Sequence, residues 1–315
     1  MLYETVLEDL GPEHPMTGGM LLNLGLSHSA LGEFDEAARC ALRARGVFRR
    51  AYGENSRWVI SALMNEAHAH GSQHRLEMAA DLLEQAILRF EGVDPLQQAR
   101  VLNNLSSVRS DQGRYQDALE LLARVDAIES TELESDATAR GVTHEGRAWV
   151  YFGLGRWREG VEAASAAIAI RERSGEKGSL IASLAARIHG YRFLGKFEEA
   201  HQDVQRGIEL AADEALPMNT RALPTLLAAI LAFDVATAEE TERALDRAAR
   251  AYSGVETSES EHALIAFLRA RLAFADPRRR RQAIGEALAA FEVYERRPLL
   301  SYPPSEAKVW LDSVH

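Results

Sequence analysis

Small and aliphatic residues recur along this chain at spacings that place them on one face of a helix. Ala37, Ala41 and Ala44 are one such set, because an α-helix brings residues i, i+4 and i+7 to the same side. Equivalent sets begin at Ala79, Ala118, Gly160, Ala244 and Ala283. The pattern predicts an all-α chain whose helices bury these faces against one another.

A turn followed by a helix start is repeated along the chain. It reads LGEFDEA at Leu31–Ala37 and LGKFEEA at Leu194–Ala200, with related copies at 112–118 and 154–160 and a weaker one at 74–79. The copies end at positions 37, 79, 118, 160 and 200, which is a period of 39 to 42 residues. A regular period of this length indicates a repeat protein built from stacked units.

Each element of the motif has a structural reason. The glycine ends one helix in a left-handed conformation that other residues adopt at a cost. The aromatic residue two positions later fills the corner between two antiparallel helices, and the small residue three positions further on lets those helices approach closely. Ala244 and Ala283 continue the period with degenerate turns, so the register after about residue 210 stays open.

The Leu-Gly-x-aromatic-x-x-Ala unit resembles the tetratricopeptide repeat (TPR). The long period and the connector LGPEHPMT at 10–17, leading into LNLG at 22–25, resemble the longer repeats of kinesin light chains. Similar repeats occur in bacterial signalling proteins, including the C-terminal regions of bacterial Ser/Thr protein kinases. The resemblance implies a right-handed superhelical solenoid of about seven antiparallel helix pairs, whose first helices line a concave groove. Glu66, Arg147 and Arg187 depart from the motif, which has leucine there.

The solenoid is predicted to occupy residues 16–298. Residues 1–15 are interpreted as the tail of a preceding helix pair, and we expect the natural chain to continue upstream, because a single repeat cannot bury its face alone. The repeats are placed at 17–54, 58–94, 96–130, 138–174, 178–214, 220–255 and 260–297.

The last residues, 299–315, are predicted to form a terminal cap. A short helix capped by Ser305 is expected to run through the segment. Val309, Trp310 and Leu311 would then cover the last repeat.

Net charge and composition limit the classes of partner and the cellular location that the chain is expected to have. The 315 residues carry a net charge of −11, which argues against nucleic acid and anionic membranes because both require a cationic face. No apolar run reaches the roughly 20 residues that span a bilayer, and no secretion signal is visible, so a cytoplasmic protein is predicted. The acidic segments 129–136 and 256–261 are interpreted as solvated linkers. The run Arg278–Arg281 is either a solvated turn or a site for an acidic partner or a phosphate.

No set of residues has the spacing that catalysis requires. The sequence contains no phosphate-binding glycine loop, nucleophile elbow, HExxH or CxxC motif. His70 and His74 share a helical face near His68, but no carboxylate or cysteine completes a metal site. The single cysteine, Cys40, is interpreted as a small packing residue. We therefore predict a protein without catalytic activity, metal or cofactor.

Three asparagines repeat with the period of the motif. Asn23, Asn65 and Asn104 are 42 and 39 residues apart and fall on the first helices of the first three repeats. A side-chain amide can donate a hydrogen bond to a peptide carbonyl and accept one from a peptide N–H. A row of amides would therefore hold an extended peptide backbone, and the TPR resemblance supports this role. The alternative is that the amides cap or bridge neighbouring helices.

Other residues on the same predicted face extend the candidate site. Arg100 and Arg192 suit carboxylates of a partner. Trp149 is either a binding hot spot or a packing residue between adjacent first helices. In the later repeats these rows become apolar, and the chain's own C-terminal segment is a candidate to fill them. The predicted partner-binding residues are Asn23, Asn65, His68, Arg100, Asn103, Asn104, Ser107, Glu145, Trp149, His189 and Arg192.

The predicted function is a non-catalytic module that binds a protein or peptide segment along the concave groove. It would belong to a larger bacterial signalling protein, of the Ser/Thr kinase type on the basis of the resemblance. Two alternatives remain open. One is a peptide-sensing domain that changes its superhelical shape on binding, and the other is a scaffold that self-associates through the N-terminal helix.

Overall fold

The chain is entirely helical wherever its structure is described. The computed structural model describes residues 9–90, 94–131, 137–255, 259–295, 299 and 302–314, and within these residues it contains fifteen α-helices and no strand. The all-α prediction is therefore confirmed. In chain order the helices are α1 Pro15–Ala30, α2 Phe34–Tyr52, α3 Arg57–Gly71, α4 Leu76–Phe90, α5 Pro95–Asp111, α6 Tyr115–Thr131, α7 Ala137–Gly153, α8 Trp157–Ser174, α9 Lys177–Phe193, α10 Phe197–Leu210, α11 Met218–Val235, α12 Ala238–Tyr252, α13 Glu259–Ala273, α14 Arg280–Tyr294 and α15 Pro304–Val314.

The chain divides into two compact units, residues 1–139 and 140–315. The first contains α1 to α6, and the second contains most of α7 and all of α8 to α15. Within each unit every helix packs against the next one along the chain. The first helices also contact one another, α3 with α1 and α5 in the first unit and α9 with α11 in the second. This is the helix-pair arrangement of a TPR-like solenoid.

The turns of the repeated motif have the predicted left-handed geometry. Gly32 and Gly195 have φ values of 77° and 69°, a region that residues with a Cβ atom enter only at a cost. The N–H of Glu33 then donates to the carbonyl of His28 at 2.8 Å and closes the end of α1. In the weaker copy His74 takes the glycine position with a φ of 55°, which explains why the motif is hard to recognise there.

The small residues that end the motif copies are buried between helices. At Gly160 even an alanine does not fit, because a Cβ atom there would overlap the ring of Phe152. Close packing leaves no space for an added methyl group without displacing neighbours. The buried positions of this row are Ala37, Ala79, Ala118, Gly160, Ala200, Ala244 and Ala283.

The C-terminal helix differs in two respects from its prediction. It begins at Pro304, not after a Ser305 cap, which fits the preference of proline for the first turn. Leu311 is buried and Trp310 lies edge-on to Phe267 with a centroid distance of 5.7 Å. The covering role predicted for Val309 is wrong, because its helix phase leaves it 71% exposed.

Some sequence predictions concern residues outside the described part of the chain. These are residues 1–8 of the N-terminal tail, 132–136 of the first acidic linker and 256–258 of the second.

Candidate functional site

The asparagine row lies on three neighbouring helices of the first unit. Asn23 is on α1, Asn65 on α3 and Asn104 on α5, and α3 contacts both of the others. Asn23 and Asn104 are exposed, and Asn65 is half-buried. The repeat period therefore places one amide on each of three adjacent first helices.

The hydrogen bonding of the three side-chain amides bears on their alternative role as bridges between helices. None of the three forms a hydrogen bond with another residue in the described part of the chain. At Asn23 it is the main-chain carbonyl that accepts a hydrogen bond, from Ser27 Oγ at 3.1 Å. The structure thus shows no helix-bridging hydrogen bond, within the described residues, to support the alternative role of these amides.

Four other predicted residues surround the row on the same helices. His68 lies one turn after Asn65 on α3 and is exposed. Arg100 and Ser107 are exposed on α5, and Asn103 is half-buried beside Asn104. We call the exposed first-helix surface around Asn23, Asn65 and Asn104 the amide face.

Two motif departures are explained by ion pairs beneath the surface. The carboxylate of Glu66, which replaces a leucine, lies 3.3 Å from Arg45 on α2. Burial raises the pKa of the Glu66 carboxyl, and Arg45 opposes that shift. In the second unit Arg187 forms a two-pronged ion pair with Asp203 on α10, with both N–O distances at 2.7 Å. Each pair links the first helix of a repeat to a second helix and so replaces an apolar contact.

In the second unit Glu145 belongs to a buried network. Its Oε2 accepts a hydrogen bond from Ser183 Oγ at 2.9 Å and lies 3.5 Å from Arg171 Nη2. Arg171 also reaches Glu176 at 3.0 Å. Burial raises the pKa of the Glu145 carboxyl, against the effect of Ser183 and Arg171. This predicted binding residue thus ties α7, α8 and α9 together.

Trp149 and His189 belong to an aromatic cluster between α7 and α9. The His189 ring lies 5.4 Å from the Trp149 ring and 4.9 Å from the Phe193 ring between centroids. Phe193 in turn stacks on Trp157 at 4.0 Å. The half-buried Trp149 thus packs between adjacent first helices, as in the alternative considered for it from the sequence.

Arg192 is paired with the chain's own C-terminal helix. Its Nε lies 2.6 Å from Asp234 on α11, and its Nη2 lies 2.9 Å from Glu306 on α15. Burial raises the pKa of the Glu306 carboxyl, and the neighbouring Arg192 opposes this. Arg192 Nη1 and Glu306 Oε2 are buried without a hydrogen-bond partner among the described residues.

The C-terminal segment covers the later first helices, as the sequence suggested. Tyr302 is fully buried, and its hydroxyl accepts a hydrogen bond from Arg271 on α13 at 3.0 Å. Tyr302, Leu311 and Trp310 belong to one apolar cluster with residues of α9, α11 and α13, including Ile230. The counterpart of the amide face in the second unit is therefore occupied in part from within the chain.

The described residues contain neither a grouping suited to a metal ion nor a helix suited to a bilayer. Among the described residues no group of three or more His, Cys, Asp or Glu side chains is placed to hold a metal ion. His70 is buried, and burial lowers its pKa. Cys40 is buried in the apolar cluster of the first unit. None of the described helices is both long enough and apolar enough to cross a bilayer.

Comparisons with known proteins agree with this geometry. A family model described as tetratricopeptide repeat matches residues 16–92, and a second with the same description matches residues 98–125. No curated protein sequence matches the chain.

Several solved structures resemble the chain. Aspartyl phosphate phosphatase F from Bacillus subtilis aligns with a TM-score of 0.67 at 13% identity, over 94% of this chain and 74% of that one. A Rap protein complexed with competence and sporulation factor aligns with a TM-score of 0.62 at 11% identity, over 96% of this chain and 100% of that one. The nearly identical TPR-like repeats of a kinesin light chain from Podosopora anserina give 0.50 at 21% identity, over 64% and 99%. Residues 16–92 and 98–125 therefore match tetratricopeptide repeats, and the chain has the fold of a TPR-like solenoid.

Proposed function

We propose that the chain is a non-catalytic binding module whose amide face holds an extended segment of a partner polypeptide. The observation that carries the proposal is the row of Asn23, Asn65 and Asn104. These amides lie on adjacent helices and form no hydrogen bond with other described residues. Each can donate to one backbone carbonyl and accept from one backbone N–H of a bound segment.

The spacing of the helices suits an extended peptide. Packed helices are about 8–10 Å apart, and an extended chain advances about 3.3 Å per residue. One amide would therefore meet the bound backbone at about every third residue. Because these contacts are to the backbone, the three asparagines would position the bound segment without selecting its sequence. Neighbours such as Arg100 and His68 would contact the side chains of the segment.

A selection experiment tests this proposal without knowledge of the natural partner. Peptides of twelve random residues are selected by display on the full chain, and their dissociation constants are measured for wild type and for Asn65→Ala combined with Asn104→Ala. A neutral hydrogen bond contributes about 0.5–1.5 kcal/mol, so the loss of two should weaken binding about five- to 150-fold.

The matched control replaces exposed amides on second helices of the same unit. Gln85→Ala combined with Gln116→Ala removes two exposed amides from α4 and α6 and should leave the dissociation constants unchanged. Equal binding by wild type and the asparagine double variant would contradict the amide face.

A peptide-sensing domain is the second candidate. It is favoured by the likeness in fold to the Rap protein whose structure contains competence and sporulation factor. In that case a selected peptide should also reduce the radius of gyration measured by small-angle X-ray scattering. An unchanged radius of gyration at saturating peptide would rule out the sensing function and would be consistent with a binding module alone.

The setting of the module is proposed on resemblance alone. We place it in the cytoplasm, within a larger bacterial signalling protein of the Ser/Thr kinase type. The reading frame upstream in the genome tests this directly, since a kinase domain encoded there would support it and an unrelated enzyme would contradict it. Analytical ultracentrifugation tests the alternative of self-association, and a monomer at high concentration would rule that alternative out.

A further inference from the structure

A second groove lies within the second unit, on α12, α13 and α14. The cavity has a volume of about 900 Å³ and is bounded by α12 and α14, with α13 as its floor. Its size is at the upper end of ligand-binding clefts, which are about 300–1,000 Å³. The whole groove lies within the second unit, and it shares no residue with the proposed peptide site.

The groove has the length of a short helix. Its lining runs from Ala238 to Ala249 on α12, from His262 to Ala273 on α13 and from Arg279 to Ala290 at the start and along α14. Twelve residues of helix correspond to about 18 Å, or just over three turns. An elongated occupant fits this shape better than a compact one.

Alanine is the commonest residue of the lining, at seven of its fifteen positions. Ala266 and Ala270 lie on the floor, and Ala249 and Ala289 lie on the two walls. Alanines leave the helix backbones close to the cavity, so an incoming helix with small or aliphatic residues on one face can approach closely. This is the helix-in-groove mode of recognition.

One end of the groove carries unneutralised positive charge. Arg279 lines the cavity at the start of α14, and all four arginines of the run Arg278–Arg281 are exposed. None of the four forms an ion pair with another residue in the described part of the chain. Four cations in one turn repel one another, and they lie at the positive end of the α14 dipole. A negative partner would relieve both effects.

Two of the three acidic residues of the lining are paired with arginines. Glu242 lies 3.7 Å from Arg269, and Glu239 lies 3.5 Å from Arg243. Glu286 accepts a hydrogen bond from Gln282 at 2.8 Å. The positive charge without an ion-pair partner among the described residues is therefore that of the arginine run, and Glu286, about two turns further along α14, keeps its negative charge.

We propose that this groove binds an amphipathic helix of a partner protein, about three turns long, with alanine or leucine on its inner face and acidic residues in its C-terminal turn. The C-terminal end of a helix is itself negative. With that end at the arginine run, the occupant lies antiparallel to α12 and α14, both of which begin there. The partner is thus an acidic helix, and the occupant differs in conformation from the extended segment at the amide face.

The test uses a labelled model peptide and the full chain. The probe is a fluorescein-labelled 16-residue helix with leucine and alanine at positions i, i+4, i+7 and i+11 and three glutamates in its last turn. We expect saturable binding by fluorescence anisotropy. Arg278→Glu combined with Arg279→Glu, and separately Ala266→Trp, should each weaken binding at least about tenfold, because one removes the charge match and the other fills the cavity.

Matched changes outside the groove provide the controls. Arg124→Glu and Ala123→Trp alter exposed positions on α6 and should leave binding as in wild type. Replacing the three glutamates of the probe by lysine should abolish binding, and circular dichroism should be the same for all variants.

Several outcomes would overturn the proposal. These are equal binding of the glutamate and lysine probes, or binding that neither groove variant changes. Binding of phosphatidylserine vesicles or inorganic phosphate at the arginine run without binding of the probe would also overturn it, since the run would then serve a different ligand. A negative result for the helix probe does not bear on the amide-face proposal, because that proposal is tested with display-selected peptides and with substitutions at other residues.

Discussion

The two units of this chain build the same helix pairs but use their first helices differently. In the first unit the row Asn23, Asn65 and Asn104 presents amides with no hydrogen bond to other described residues. In the second unit Glu145 and Arg192 lie in buried ion-pair networks. The repeat period determines which positions lie on the exposed face of the first helices. The residue type at each of these positions then determines whether it forms contacts within the unit or is left for a partner.

The C-terminal segment accounts for the difference at Arg192. α15 contributes Glu306 to Arg192 and Leu311 to the apolar cluster of the second unit. Arg192 was predicted to bind carboxylates of a partner, and in this structure it binds two carboxylates of its own chain. The predicted pairing of Arg192 with carboxylates therefore occurs, but with carboxylates of the same chain. Four predictions test this comparison.

The largest effect is expected at the anchor of the C-terminal segment. Tyr302→Ala removes a fully buried ring and the hydrogen bond from Arg271, which should lower the free energy of unfolding of the second unit by about 3–5 kcal/mol. The measurement is urea denaturation of the full chain. Val309→Ala on the same helix is the control, and it should change stability by less than about 0.5 kcal/mol because Val309 is exposed. Similar values for the two variants would contradict the assigned role of the segment.

A glycine-to-alanine substitution should change the free energy of unfolding in opposite directions at two positions, one in each unit. Gly160→Ala in α8 overlaps the ring of Phe152 and should lower the free energy of unfolding by about 1–3 kcal/mol. Gly19→Ala in α1 meets no atom within 4 Å and should raise it by about 0.5–1 kcal/mol through helix propensity. Thermal denaturation of both variants provides the comparison. A stabilising Gly160→Ala would show that the second unit is less tightly packed than described.

The buried carboxyl of Glu306 predicts a pH dependence confined to the second unit. Its pKa is raised by burial, so the folded chain retains this proton to higher pH than the unfolded chain. The folded state therefore binds more protons in the window between the two pKa values, and the contribution of Glu306 to stability falls as pH rises through that window. Glu306→Gln should remove this part of the slope in denaturation measured above pH 4.5. An unchanged slope would assign the effect to the other buried carboxyls whose pKa values are raised, which are Glu66, Asp111 and Glu145.

The smallest effect on stability is expected on the amide face. Asn65→Ala combined with Asn104→Ala should leave the free energy of unfolding unchanged or raise it by up to about 1 kcal/mol, because alanine is the better helix former. A loss of more than about 1 kcal/mol in urea denaturation would show that these amides support the fold. The variant that weakens peptide binding would then no longer separate binding from folding.

Much of the fold follows from local patterns in the sequence. The glycine turn at Gly32 and the buried small residue at Ala37 can be predicted because both depend on neighbours within a few positions. His74 shows the limit of this reasoning, since it adopts the glycine conformation without being glycine. The helix pairs can therefore be predicted even where one copy of the motif is degenerate.

The contacts of the candidate site were harder to predict. The asparagine row was found because it repeats with the period. Arg192 and Glu306 are 114 residues apart, and no local spacing joins them. The pairs Arg45–Glu66 and Arg187–Asp203 were missed for a similar reason, although an opposite charge near each motif departure was the available signal. Val309 was misplaced because three consecutive helical residues span about 200° around the helix axis and cannot all face the last repeat.

Hydrogen–deuterium exchange of the full chain with and without a display-selected peptide tests the central claim most directly. The amide face predicts slower exchange in α1, α3 and α5 when the peptide is bound, and no change in α9, α11 and α13. Protection confined to α9, α11 and α13 would contradict the account, because the peptide would then have displaced the C-terminal helix and left the asparagine row unused.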